Sequence, residues 1–353
     1  MNTPPPKGRG TGQRPDSRFA DWQREASDDG WPATDDVPAP ATELRIDTAR
    51  SVISYNQSPD VPIDRSINPY RGCEHGCVYC FARPSHAWLG LSPGLDFETR
   101  LAYKPDAAAR LRDELAAPGY RCAPIALGVN TDAYQPVERR LGITREILEV
   151  LAACRHPVTI ITKSALIERD IDLLSAMARD RLVQVMVSVT TLVPELARTL
   201  EPRAAAPQRR LRTIAALAEA GVPVGVLFAP LIPALNDAEM EAVLAEAAAR
   251  GAGTAGYGLL RLPREVGPLF EHWLHDHAPE RAAHVMSLVR QLRGGRVNDP
   301  RFGQRMRGTG PFADLYRQRF ARACRQLGIA PRHLTLDTGH FAPPGDARQG
   351  RLF

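Results

Sequence analysis

From Ser66 onward the chain alternates short β-branched apolar runs with longer amphipathic ones, and nothing else in it limits the fold as strongly. The apolar runs are SINPYR (66–71), APIALGVNT (123–131), PVTIIT (157–162), LVQVMVSVTT (182–191), VPVGVLFAPL (222–231) and TAGYGLLRLP (254–263). Between them lie helix-like segments such as TREILEVLAACR (144–155) and PQRRLRTIAALAEAG (207–221). In the first, Thr144 is placed to act as N-cap; the second runs into Gly221, a good residue to end a helix. Strands of this length separated by helices of this length predict βα units around a parallel sheet. The expected fold is α/β, a partial (β/α)6 barrel. Such folds place their chemistry at the carboxyl ends of the strands. Thr131, Asp132, Lys163, Ser188 and Arg261 all fall there, as does a cysteine loop after the first strand.

That loop reads CEHGCVYC, with Cys73, Cys77 and Cys80 at spacing C-x3-C-x2-C and no fourth cysteine nearby. A structural zinc closes its shell with four ligands. Three thiolates suit a [4Fe–4S] cube that keeps one iron open to a small molecule. His75 lies inside the motif as a conceivable fourth ligand for zinc, the competing assignment. Gly76 supplies backbone freedom at the sharpest point of the loop. Tyr79 is positioned to pack over a cluster or its ligand. The remaining cysteines, Cys122, Cys154 and Cys324, are scattered and read as small buried apolar residues. His272, His275 and His277 have helical spacing and read as a solvated helix face rather than a metal site.

Composition divides the chain further. Residues 1–50 hold seven prolines and few large apolar residues, which predicts a disordered N-terminal arm, with at most a docking strand late in it, before a core of 51–265. The first residues contain no apolar run of the kind a secretory signal needs, and no run approaches a membrane span. A cytoplasmic protein with reduced cysteines is therefore expected. Of the 45 basic residues only Lys7, Lys104 and Lys163 are lysines. A lysine kept at a strand end in so arginine-biased a chain suggests a site needing a compact point charge; a surface lysine is the alternative.

The motif, with an aromatic before the third cysteine and a βα series behind it, resembles the radical S-adenosylmethionine (SAM) superfamily over roughly residues 60–265. The resemblance implies a partial barrel of that type, with Cys73, Cys77 and Cys80 holding one [4Fe–4S] cluster. It also implies that the open iron binds SAM and that one electron cleaves it to methionine and a 5′-deoxyadenosyl radical. That electron would come from a reductant such as flavodoxin or ferredoxin. Within the superfamily the chain looks most like an uncharacterised bacterial family related to spore photoproduct lyase. By that likeness Thr131, Asp132, Lys163 and Ser188 contact SAM; a simple turn with an Asx cap is the alternative for Thr131 and Asp132. The chain departs from the lyase at Val129, where the lyase has a cysteine hydrogen donor, and at Phe81, where it has a tyrosine. The lyase's own repair reaction is therefore not expected.

Residues 266–353 read as a helical, arginine-rich extension. Within 281–325 eleven arginines face two acids, Asp299 and Asp314, around a glycine-rich stretch containing Phe302. This predicts either a surface tracking nucleic-acid phosphates or a loop that closes over a small substrate.

Overall fold

The computed structural model describes residues 5–19, 40–61, 63–330 and 335–345. It contains strands β1 (Glu43–Ile46), β2 (Ile53–Tyr55), β3 (Arg65–Ile67), β4 (Tyr70–Arg71) and β5 (Arg100–Tyr103). Then come β6 (Ile125–Leu127), β7 (Val158–Thr162), β8 (Val183–Ser188), β9 (Val224–Leu231) and β10 (Thr254–Leu259). Seven of them form one sheet in the order β10-β9-β8-β7-β6-β3-β2. All neighbours in it pair parallel except β2, which runs antiparallel to β3. The six parallel strands are those expected from the alternation.

The first expected strand is shorter than its pattern. Pro69 has no N–H to give a ladder, and SINPYR divides there. β3 stays in the large sheet, whereas β4 joins β5 and β1 in a separate three-stranded sheet. The chain thereby turns off the main sheet just before Cys73.

Helices Ala107–Ala116, Ile143–Ala153, Ile171–Arg179, Pro207–Glu219 and Met240–Ala248 connect the strands. Their apolar stripes, including Ile147, Leu151, Leu211, Ile214 and Leu244, join the inner strand residues in one buried core. Gly221 has φ +74°, the left-handed geometry expected at that helix end. Thr144 is not the N-cap of its helix: Gly142 takes that position, and the Thr144 hydroxyl donates to the Ala133 carbonyl at 2.6 Å.

Helices Val266–His277, Pro279–Leu292 and Pro311–Leu327 make the carboxyl-terminal region helical, as expected. The first two share a second buried core with Val78 and Tyr79 of the cysteine loop, through Phe270, Trp273 and Val285. Arg319 pairs with Glu241 at 2.6 Å and seats the last helix on Met240–Ala248. Among the described residues no helix is long and apolar enough to cross a membrane.

Residues 5–19 and 40–46, which fall in the stretch read above as a disordered arm with at most a late docking strand, pack against the rest of the chain. Arg9, Thr11 and Ser17 are buried. Arg9 donates to the carbonyls of Glu98 and Pro40, both at 2.8 Å, and β1 pairs with β5. Proline and glycine give this segment little propensity of its own, so its order comes from hydrogen bonds to the rest of the chain. Residues 20–39 lie outside the described residues.

Candidate active site at the cysteine loop

The loop carrying Cys73, Cys77 and Cys80 is fixed by its backbone. Gly72 and Gly76 take φ of +79° and +68°, and a Cβ at Gly76 would stand 2.7 Å from the Glu98 carboxylate. The Cys73 N–H donates to the Phe97 carbonyl at 2.9 Å, and Cys80 N–H to Cys77 at 3.2 Å. Behind the loop Arg83 is wholly buried. Its guanidinium donates to the carbonyls of Cys77 at 2.9 Å and Gly76 at 3.3 Å and pairs with Glu98 at 2.5 Å. Glu98 in turn accepts from Gly10 N–H at 2.8 Å. A buried cation that satisfies backbone carbonyls and one carboxylate holds a loop in a single shape.

Cys73 is buried and Cys77 and Cys80 are half-buried, all as free cysteines. Burial pushes each thiol above its ordinary range, and Cys77 reaches about 12. Three soft donors held together but disfavoured as bare thiolates fit a cationic iron–sulfur group, whose binding would displace their protons. Among the described residues no three His, Cys, Asp or Glu converge as around one ion; a cubane places its thiolates on three separate irons and needs no such convergence. His75 does not join the thiols. Its Nδ1 stands 3.3 Å from Asp132.

Asp132 ends the loop after β6 and has its acceptors filled. It takes hydrogen bonds from Thr162 at 2.8 Å, Lys163 N–H at 2.7 Å and Tyr134 N–H at 2.9 Å. Burial raises its pKa, but His75 and these donors outweigh burial and hold it at about 2. The Tyr134 bond is an Asx turn, the simpler of the two expectations for this position. Asp132 thus ties the cysteine loop to the end of β7. Thr131 is also engaged internally, its buried hydroxyl donating to the Tyr70 carbonyl at 2.9 Å.

Lys163 follows β7 directly. Its ammonium lies 4.0 Å from Glu201 and 5.9 Å above the Tyr79 ring centroid. A separation of 4.0 Å orients the charge but is too long for a hydrogen bond. Glu201 is buried and accepts from Thr190 at 2.6 Å and from the Tyr79 hydroxyl and Arg210. Burial raises the Glu201 pKa, yet Arg210, Lys163 and these donors bring it down to about 2. Arg210 also donates to the carbonyl of Ser188, the last residue of β8, at 3.1 Å. One buried carboxylate therefore connects Tyr79, Lys163 and the end of β8. Sequence reading missed Glu201, Arg210, Arg83 and Glu98: the contacts of Glu201, Arg210 and Glu98 join the cysteine loop to segments far along the chain, and Arg83, three residues after Cys80, belongs to no motif of its own. LEPRAAAPQRRL, with a lone acid among arginines, was the available signal.

Comparison with known proteins decides the family. The model of the radical SAM superfamily matches residues 67–247, half of the chain. This chain belongs to the radical SAM superfamily. The superfamily uses a [4Fe–4S] cluster and SAM for radical chemistry, and the chain is an enzyme of that kind. An uncharacterised protein of Mycobacterium tuberculosis is 39% identical over 234 residues, covering 65% of this chain and 68% of its own. An uncharacterised protein of Methanocaldococcus jannaschii is 27% identical, covering 61% and 76%. Among solved structures, spore photoproduct lyase complexed with dinucleoside spore photoproduct aligns with a TM-score of 0.59 at 16% identity, over 83% of this chain and 82% of its own. A mutant of that lyase with bound SAM aligns with the same score at 15% identity, over the same shares. At such identity the likeness to the lyase concerns the fold.

Proposed function

We propose that Cys73, Cys77 and Cys80 hold three irons of a single [4Fe–4S] cluster, and that the chain uses a 5′-deoxyadenosyl radical to abstract hydrogen from its substrate. The observation that carries this reading is the placement of three rigidly held thiols beside an oriented lysine, at the carboxyl ends of six parallel strands. When bound, the cluster supplies the electron that cleaves SAM. The residues of the chain do the rest. Arg83 and Glu98 hold the loop that carries the thiols. Lys163, oriented by Glu201 and with no hydrogen bond at its ammonium among the described residues, takes the SAM carboxylate. Ser188, buried at the end of β8, is assigned to the same site. Tyr79 serves through its hydroxyl to Glu201 and its ring beneath Lys163. Asp132 positions Lys163 through the backbone, and Thr131 anchors the loop between them; we assign these two to positioning. A flavodoxin or ferredoxin supplies the electron in the cytoplasm.

Anaerobic reconstitution with iron and sulfide tests the reading. Brown protein with about four irons and four sulfides per chain is expected, turning SAM over to methionine and 5′-deoxyadenosine under reductant. Colourless protein that retains zinc and leaves SAM intact would rule it out.

Nucleic acid as substrate has one observation of its own: Phe302 is 61% exposed, with the Arg305 guanidinium 4.7 Å from its ring centroid. Against it, several arginines of this segment are already committed. Arg301 pairs with Asp299 at 2.7 Å and Arg305 with Asp60 at 2.5 Å. Arg293 is buried, donating to the carbonyls of Arg305 and Leu260, both at 2.7 Å. This bonding favours a loop fastened over the carboxyl end of β10, and with it a small substrate.

A further inference from the structure

Arg261 stands two residues beyond β10, on the same side of the sheet as the cysteine loop. Its guanidinium lies 5.3 Å from the centroid of Phe81, the residue after Cys80. The side chain is half-buried, yet it makes no ion pair among the described residues. Its Nε is buried and meets no acceptor, and Nη1 points at the Met306 thioether, 3.4 Å away, a weak acceptor. The nearby acids are occupied. Asp60 accepts from Gly303 N–H and Arg305, both at 2.5 Å, and Asp299 is held by Arg301. Burial and the positive charge of Arg305 both push the Arg261 pKa down, with only Asp60 opposing them. The Gln304 side-chain oxygen is also buried without a donor. An uncompensated guanidinium in a partly dry site is costly, and a bidentate oxyanion offsets that cost best. Arg293 fastens the 304–305 backbone to the end of β10, so the surroundings of Arg261 are built rather than loose.

We propose that Arg261 is a substrate-binding residue that grips a carboxylate or phosphate of the substrate, with Phe81 supporting its guanidinium from the cluster side. The proposal rests on the radical chemistry above, since it is there that a substrate must lie near the thiol-bearing loop. The oxyanion has three sources to separate: a small phosphate, a small carboxylate, or a nucleic-acid backbone.

The test uses the reconstituted, SAM-loaded full chain, titrated at constant ionic strength with inorganic phosphate, succinate and a single-stranded oligonucleotide, followed by calorimetry. Saturable binding of at least one probe is expected, weakened about tenfold or more in Arg261→Met and less in Arg261→Lys. Arg307→Met, at an exposed position of the same segment, should still bind. The probe that binds in an Arg261-dependent way names the source. Binding that is equal in the wild type and both Arg261 variants, or no saturable binding of any probe, overturns the assignment. If Arg261→Met does not fold, Arg261→Lys decides alone, because it keeps the charge and loses the bidentate fork. SAM cleavage by the wild-type chain is measured in parallel. Its absence would condemn the radical reading itself, whereas cleavage without Arg261-dependent binding would condemn only this site.

Discussion

The roles proposed for the thiols and for Lys163 are separable, so their substitutions should separate experimentally. Replacing any one of Cys73, Cys77 or Cys80 by alanine should remove most cluster iron. Cys122→Ala, Cys154→Ala and Cys324→Ala should leave the iron content of reconstituted protein unchanged, because those thiols lie away from the loop. Lys163→Ala should keep the iron but lose SAM affinity by about tenfold or more, the worth of a charge-assisted contact of roughly 1.5–3 kcal/mol. Calorimetry with SAM checks this, and equal affinity would remove Lys163 from the site. Lys163 was legible in the sequence as a rare residue at a strand end. Its partner Glu201 was not, since the 37 intervening positions hide a contact made only by folding.

At the scale of elements, the amino-terminal segment and β7 each give a measurable consequence. Gly10 lies flat on the cysteine loop: a Cβ there would fall 1.7 Å from the Gly76 carbonyl oxygen. Gly10→Ala should therefore lift the segment away and leave the thiol loop less protected. Iron loss to a chelator should quicken several-fold, with cleavage by a protease appearing near residue 10 and the sheet intact. Unchanged iron release would show that the segment does not guard the loop. His156 precedes β7, buried, with Tyr120 at 2.8 Å from its Nε2. Burial lowers its pKa from 6.5 to about 4. The folded state thus binds fewer protons than the unfolded one between these values. This contribution to stability is full above about pH 6.5, falls by about 2 kcal/mol at pH 5 and by about 3 kcal/mol below pH 4. Urea midpoints should fall accordingly between pH 7 and 5, and His156→Gln should flatten that part of the profile.

For the whole molecule, the charge of the carboxyl-terminal region makes opposite predictions under the two substrate readings. A nucleic-acid surface would bind single strands with a log–log salt slope of about −0.7 per phosphate neutralised. The ion pairs of Arg301 and Arg305, together with the burial of Arg293, leave few free cations in 293–307. A flat salt titration of the reconstituted protein is therefore expected, and a steep slope would restore the nucleic-acid reading.

The strand–helix alternation and the cysteine spacing determined the parallel sheet, the carboxyl-end location of the proposed site and the class of chemistry, because periodicity and ligand spacing are local properties. Pro69, also local, divided the first strand, a consequence that the apolar pattern alone obscured. Tertiary structure decided the rest. It ordered a proline-rich segment with no propensity of its own by burying Arg9 and laying Gly10 on Gly76. It turned Asp132 and Thr131 inward, onto backbone and His75, where the sequence left a turn and ligand contacts both open. It committed several of the arginines of the basic stretch to acids and carbonyls, while Arg261 outside that stretch has no acid partner among the described residues. Which charges find partners depends on side chains brought together from distant parts of the chain, and no count of residues along it contains that information.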